Sequence, residues 1–560
     1  LLEQQYEPSI FTQNSHLRNY QKYLLAIFGG LLFWVAWPTK STTFVVFFAL
    51  LPLLWINEHT TSNKRFLAPA YVHMFIWNIL TTWWIYNASV AGAVLAIILN
   101  SLLMCLPWLA MRSIKKRFGP LAGYVSLISF WISFEYIHLT WELSWPWLTL
   151  GNVFAMKTEW VQWFEYTGTT GGTLWVLISN IVLFSILKEF QVSKRPIKYY
   201  GSLLLLIAVW IIPLIVSNSI LSNTVDEIGA TEKNTHRNVV VVQPNVDPYE
   251  EKFKEGSVDA QIRNLINLSE QQIDSTTSLI IWPETAIPVG ALEEEIKQNL
   301  YYAPVWAFLS RHPQLSLLSG IESYRNYGSN IKEATPTARY DEGQKIYYDA
   351  FNTAAMFRPD GSTQFYHKSK LVPGVETLPS FLIFIGKLFE DFGGTSGTLG
   401  RDKERSVFAD GQHYFVAAPI ICYESIYSDY VTQYVRKGAN LLTIITNDGW
   451  WDNTPGYKQH MNYARLRAIE TRRWIARSAN TGISCFIDPV GKDYQPQPWD
   501  TAAAIKMNIE PLQVQTFFVQ HGDYLSVLFN VISIGFLLLL IVITFRNRFV
   551  KKPHGESNSI

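Results

Sequence analysis

Seven apolar runs crowd the first 220 residues and an eighth lies near the end, with an ordinary globular sequence between them. A helix that crosses a bilayer takes about 20 mostly apolar residues and bonds all its backbone polar groups internally. The runs near 22–38, 41–56, 68–86, 88–111, 119–138, 164–188, 199–219 and 523–545 fit that pattern, the second being short enough for a re-entrant segment. Charged residues make up 16% of the chain, against about a quarter in soluble domains. The deficit is concentrated in 23–220, which is rich in Leu, Ile, Trp and Phe, whereas 225–522 has an ordinary composition.

The expected architecture is therefore a tail (1–21), a seven-span helical membrane domain (22–220), an α/β domain (221–522), an eighth span (523–545) and a second tail (546–560). Basic residues orient it. Loops on one side carry Arg18, Lys22, Lys64, Arg65, Arg112, Lys115, Lys116, Arg117, Lys188, Lys194, Arg195, Lys198, Arg546, Arg548, Lys551 and Lys552, while the short loops opposite hold Lys40 and Lys157. The positive-inside rule places both termini in the cytoplasm and 221–522 on the outer face. The tryptophans at the span ends (Trp77, Trp83, Trp84, Trp145, Trp147, Trp160, Trp163) are expected to form an interfacial belt. Glu135, with His138 and Glu142 after it, is either functional, as ionisable residues in spans tend to be, or solvated at the interface.

The net charge of +1 gives no case for nucleic acid. Three cysteines at no metal-like spacing indicate neither a disulfide framework nor a metal site, and Cys105 reads as core. Segment 221–522 alternates strands (238–244, 278–284, 315–322, 350–357, 363–369, 413–421, 440–447, 483–488, 502–509) with helices (257–275, 291–311, 426–437, 457–478). Runs such as Val239–Val242 are apolar on both faces, as in sheets covered by helices.

Three strings in this segment carry chemistry: Trp-Pro-Glu at 282–284, Tyr-His-Lys at 366–368 and Ile-Cys-Tyr-Glu at 421–424. They supply a carboxylate, an ammonium and a thiol, each at an expected strand end. A thiol is mostly protonated at neutral pH and needs a base or a nearby positive charge. His367, His413 and His460 are available as bases; so is Glu284, with Lys368 to stabilise a developing oxyanion.

The ordered Glu, Lys and Cys resemble the nitrilase, or carbon–nitrogen hydrolase, superfamily. Val-Gln-Pro-Asn at 242–245, Thr-Asn-Asp-Gly-Trp-Trp at 446–451, Arg465 to Glu470 and Ala479 to Gly482 extend the likeness over about 236–512. That resemblance implies an αββα sandwich with Glu284 as general base, Lys368 as charge stabiliser and Cys422 as nucleophile. Together with the spans, Lys368-Ser-Lys-Leu-Val-Pro373, Glu376, the Cys422-Tyr423-Glu424 triplet and Trp145-Pro-Trp-Leu148 with Gly151 resemble the bacterial apolipoprotein N-acyltransferase family. One departure is Pro373-Gly-Val-Glu376, where the family often has Pro-Phe-Gly-Glu.

The resemblance implies an enzyme of the bacterial inner membrane, with no cofactor and no metal. Its partners are a phospholipid acyl donor, a diacylglyceryl apolipoprotein acceptor and membrane lipid. Glu376, Tyr423 and Glu424 are supporting candidates. The apolar stretch Leu378–Phe389, with Phe381 and Phe384, reads as an arm dipping into the interface, with Gly393, Gly394, Gly397 and Gly400 as hinges, or else as a packed helix. Trp450 and Trp451 line an acyl path or pack at its rim. A membrane-tethered amidase passing its acyl group to water, and a non-catalytic lipid-binding or transport protein, are the competing readings.

Overall fold

The computed structural model of the chain describes residues 17–192, 196–231, 237–385 and 398–550. Gly393, Gly394 and Gly397 lie outside them. Among the described residues, four apolar helical stretches are long enough to cross a membrane: Val90–Thr140, Phe164–Phe190, Tyr200–Gly229 and Tyr524–Arg546. The first bends at Gly119–Pro120, where the span expected at 119–138 begins after the one expected at 88–111. Helices Asn19–Ala36 and Asn63–Thr82 stand where two further spans are expected but are not among those four. The latter buries His73, Asn78, Thr81 and Thr82, which reduces its apolar character. The expected second run is a broken pair, Val46–Ala49 and Leu51–Glu58. Val531, Ile534, Leu538 and Val542 of the last helix are all exposed. Soluble proteins rarely carry such contiguous apolar surface, so this is a membrane protein.

Only Trp83 of the expected tryptophan belt is exposed. Trp77 stacks on Phe33 with ring centroids 4.1 Å apart, and Trp84 and Trp147 pack against each other and against Trp451 of the α/β domain. These indoles join helices, and the two halves of the molecule, rather than marking an interface. Glu135 is not solvated either. It accepts hydrogen bonds from Trp131 Nε1 (2.9 Å), the Leu150 N–H (2.8 Å) and Thr173 Oγ1 (2.7 Å), and so anchors the loop after its helix. In that loop Gly151 passes so close to the next helix that a Cβ would stand 2.0 Å from the Thr169 carbonyl oxygen. Gly151→Ala is expected to destabilise the protein by about 1–3 kcal/mol, seen as a lowered Tm in detergent.

The α/β domain is a sandwich of two sheets. One holds β1 (Asn238–Gln243), β2 (Thr277–Ile281), β3 (Ile287–Leu292), β4 (Ser316–Asn326), β5 (Arg339–Asp341), β6 (Ile346–Phe357), β7 (Thr363–His367) and β14 (Ala503–Asn508). The other runs β13 (Asp493–Tyr494), β12 (Cys485–Ile487), β11 (Trp474–Ala479), β10 (Leu441–Thr446), β9 (Val416–Ile421) and β8 (Phe408–Ala409). Strand alternation sorts the side chains. Val239 and Val241 join the core between the sheets, whereas Val240 and Val242 face helices Val258–Glu270 and Ala303–Arg311. Helices Ser428–Arg436 and Pro455–Thr471 cover the second sheet, giving the expected αββα layers.

Two expected helices are corrected. Residues 291–302 form the end of β3 and 3₁₀ turns, with helix only over Ala303–Arg311. The helix expected over 457–478 stops at Thr471, where Arg472 takes a left-handed φ of 50° and the chain turns into β11. No glycine marks that stop, so the usual signal is missing.

Helix Pro455–Thr471 is buried on nearly every side, lying between the second sheet and the membrane helices. Tyr463 accepts from Trp37 Nε1 (2.8 Å), Gln459 accepts from Trp147 Nε1 (2.6 Å), and Asn462 donates to the Pro38 carbonyl (3.0 Å).

Candidate active site

Three strand ends of the sandwich converge on one cavity. After β2, Pro283 has no N–H to continue the ladder, and the chain turns so that Glu284 points inward, 6% exposed. Gly320 of β4 permits this, since a Cβ there would stand 2.5 Å from Glu284 Cα. After β7 comes Lys368, 1% exposed, its N–H bonded to the Asn352 carbonyl of β6 (2.9 Å). After β9 comes Cys422, whose φ of 49° lies in the left-handed region. A non-glycine residue held there is strained, a feature that clusters at functional sites. The turn is fixed from two sides. His460 Nε2 meets the Cys422 carbonyl (3.1 Å), and Glu424 accepts from the N–H groups of Ile421 (2.9 Å) and Ser369 (2.7 Å).

Lys368 Nζ donates to Glu284 Oε1 (3.1 Å) and Glu376 Oε1 (2.8 Å). Asn352 Nδ2 bridges the same two oxygens at 2.7 and 2.9 Å. Glu284 Oε2 takes the Asn447 N–H (3.0 Å). Burial opposes the charges on Lys368 and Glu284, and their partners outweigh it. Lys368 is held well above the usual lysine range by Glu284 and Glu376, and Glu284 below the usual carboxylate range by Lys368 and Asn352. The Cys422 thiol is pushed up by burial and by the Glu284 carboxylate, with Lys368 and a hydrogen bond to Thr446 working against that rise. The resting pair is thus ionised Glu284 with a neutral thiol, which suits a base that removes the thiol proton only as attack begins.

The cavity of about 300 Å³ has two kinds of wall. Glu284, Lys368, Glu376, Cys422 and Asn447 line one part; Leu95, Ala96, Leu99 and Leu103 of the apolar stretch Val90–Thr140 line another, with Ile85 and Ala88 of the short helix before it and Trp84, Trp147, Trp450 and Trp451 beside them. Tyr423 also lines it, and its hydroxyl donates to the Ser144 carbonyl (2.8 Å) of the membrane domain. Phe381 and Phe384 do not; they lie on a 3₁₀ turn, 54% and 83% exposed. Ser380 beside them is bonded to Glu142 (2.7 Å) of the preceding membrane loop. Glu376 keeps its reach to Lys368 despite the altered tetrapeptide, because its own N–H closes on the Val372 carbonyl (2.9 Å). Of the hinge candidates, Gly400 is described. Its N–H bonds the Ala350 carbonyl (2.9 Å), and a Cβ there would stand 2.1 Å from Phe351.

The candidate histidines have other partners or lie apart: His413 is exposed in the turn before β9. His460 touches the Cys422 backbone and Asp448 (3.0 Å), and His367 is held between Glu293 (2.5 Å) and Asp402 (2.9 Å). Sequence reasoning missed Asn352, Lys252 and Arg477, which joins Asp448 and His460 in a buried cluster. Lys252 Nζ donates to the Glu284 carbonyl (3.3 Å), and burial lowers its pKa to about 8, with Glu284 pulling the other way. Among the described residues no cluster of side chains is arranged to hold a metal ion.

Residues 29–182 match the family model for the apolipoprotein N-acyltransferase N-terminal domain, and residues 238–516 that for carbon-nitrogen hydrolase. The chain is 30% identical over 512 residues to the apolipoprotein N-acyltransferase of Chlorobaculum tepidum, covering 90% of this chain and 93% of that protein. It is 26% identical to the protein of that name from Geobacter metallireducens, over 90% of this chain and 92% of the relative. For the Thermotoga maritima protein of that name the identity is 24%, over 95% and 94%. Among solved structures, Saccharomyces cerevisiae Nit3 is similar at 15% identity and a TM-score of 0.35, over 51% of this chain and 95% of that one. The chain belongs to the apolipoprotein N-acyltransferase family.

Proposed function

We propose that the chain moves a fatty acyl group from a membrane phospholipid, through a thioester on Cys422, to the N-terminal amine of an S-diacylglyceryl cysteine. This would be the last step in maturing a bacterial lipoprotein. The observation that carries the reading is the single cavity in which a Glu–Lys–Cys set shares space with hydrocarbon walls from membrane helices. A water-soluble amide substrate needs no such wall; an acyl chain does.

In the first half-reaction Glu284 takes the Cys422 proton, and sulfur attacks the ester carbonyl. Lys368 Nζ and the Tyr423 backbone N–H hold the oxyanion. As the tetrahedral species collapses, the glycerol oxygen leaves with the proton from Glu284, and lysophospholipid departs. In the second, the amine attacks the thioester, Glu284 accepts its proton, and the Cys422 thiolate is expelled as the amide forms and takes that proton back from Glu284, restoring the resting pair. Glu376 orients Lys368 through the bond described above. Glu424, fully buried and also accepting from Tyr366 Oη (2.8 Å), ties the Lys368 and Cys422 turns together. Phe381 and Phe384 form an arm at the bilayer surface. The reading includes eight spans in the inner membrane, both termini in the cytoplasm and the sandwich outside. The skew of basic residues in the loops supports that orientation.

The test is intact-protein mass spectrometry after incubation with phospholipid. An acyl-sized mass on the Cys422 peptide, discharged quickly by a diacylglyceryl lipopeptide amine and slowly by water, is expected. Turnover of a soluble amide with no acyl adduct from phospholipid would favour a tethered hydrolase instead.

A further inference from the structure

From Tyr249 to Gly256 the chain crosses the surface of the sandwich, and every residue there is exposed except Lys252, at 3%. Lysine is almost never buried unless paired, so an inward lysine in an exposed turn calls for a cause. The turn itself is locally built. Asp247 Oδ1 accepts the N–H groups of Tyr249 (2.7 Å) and Glu250 (2.9 Å), and the Lys252 N–H bonds the Asp247 carbonyl (2.9 Å). Gln261 Nε2 then pins the Lys252 carbonyl (3.0 Å). With its backbone held, Lys252 sends Nζ to the Glu284 carbonyl.

The charges around the cavity explain what an ammonium does there. Glu284 from the β2 end and Glu376 from the loop after β7 bring two negative charges, and Lys368 one positive. Asp448, after β10, also acts on the thiol, but its charge is matched by Arg477 (2.8 Å). Ionising Cys422 from the β9 end would leave the group two charges negative if Lys368 were the only cation. Lys252 supplies the second one, from behind Glu284.

We infer that Lys252 is a positioning residue of this site: it fixes the Glu284 backbone and offsets the surplus negative charge, so that Glu284 stays ionised and Cys422 can yield its proton. The inference rests on the thioester reading above. Its sign is definite. A neighbouring cation favours the ionised carboxylate and thiolate, so removing it raises the pKa of both.

The experiment uses full-length protein in phospholipid-containing micelles. Lys252→Gln keeps an N–H for the carbonyl but drops the charge, Lys252→Met drops both, and Lys252→Arg keeps the charge. Two measurements are made: the pH dependence of kcat/KM for phospholipid, and the rate of iodoacetamide alkylation at Cys422 by peptide mapping. In Lys252→Gln and Lys252→Met the acid limb is expected to move up by about 1 pH unit. Alkylation at neutral pH is expected to slow by roughly tenfold, and Lys252→Arg to recover most of both. A wild-type profile and alkylation rate in Lys252→Gln would overturn the inference. So would losses that track Tm with no advantage for Lys252→Arg. If wild-type protein takes no acyl group on Cys422, the proposed function fails, whereas the alkylation comparison still decides the part played by Lys252.

Discussion

Cys422→Ala is expected to abolish both the acyl adduct and acyl transfer, a loss of roughly 10⁴-fold or more, as for removal of a nucleophile from a catalytic set. The protein should stay folded. The missing atom is one sulfur beside an existing cavity, so the cost in stability is about 1 kcal/mol. The strained φ of 49° at this position is held by Glu424 and His460, neither of which bonds the thiol. Cys485→Ala is the matched control. Its thiol is buried in β12 and pushed up to about 12 by that burial, and its loss should leave turnover near wild type. Single-turnover assays with a labelled phospholipid, followed by peptide mapping, read both results. An adduct of wild-type size on any residue in Cys422→Ala would overturn the assignment.

Lys368→Met is expected to act on rate and on stability together. Without the ammonium, the Glu284 and Glu376 oxygens that share it face each other with only Asn352 between them. A buried pair broken from one side costs about 3–5 kcal/mol, and losing an oxyanion donor costs about 10²–10³ in kcat. The two effects separate with pH. In the wild type, Glu284 has a depressed pKa, so its contribution to stability is full above the unfolded carboxylate pKa and is lost as pH falls through the folded one. In Lys368→Met the sign reverses, because protonating one carboxylate relieves the pair. The stability deficit should therefore shrink on acidification while activity falls further. Thermal unfolding at two pH values beside rate measurements checks this; a deficit that grows on acidification would show that Lys368 does not compensate these carboxylates.

The gathering of Glu284, Lys368 and Cys422 in one cavity was legible in the sequence because each sits where an apolar strand run ends and because the resemblance to the nitrilase superfamily singled out the set. Asn352 was not, because it lies inside β6, whose alternation reads as core. Lys252 was not, because the residues on either side of it, Glu251 and Phe253, are those of an exposed turn. The tryptophans were misread for a related reason. An aromatic at the end of an apolar run packs equally well against lipid headgroups or a neighbouring domain, and only tertiary contacts distinguish Trp84 from Trp83. The end of helix Pro455–Thr471 was overrun because Arg472 takes the left-handed turn that glycine usually announces.

The burial of that helix bears on how the molecule can be taken apart. Trp37, Trp147 and the Pro38 carbonyl belong to one half, and Tyr463, Gln459 and Asn462 to the other, yet they share a single seam. Expressed alone as a water-soluble fragment, 238–516 would present these polar and aromatic groups to solvent with their partners stripped away. Grafting it onto another membrane anchor would leave them just as mismatched, so a chimaera has to exchange both sides of the seam at once.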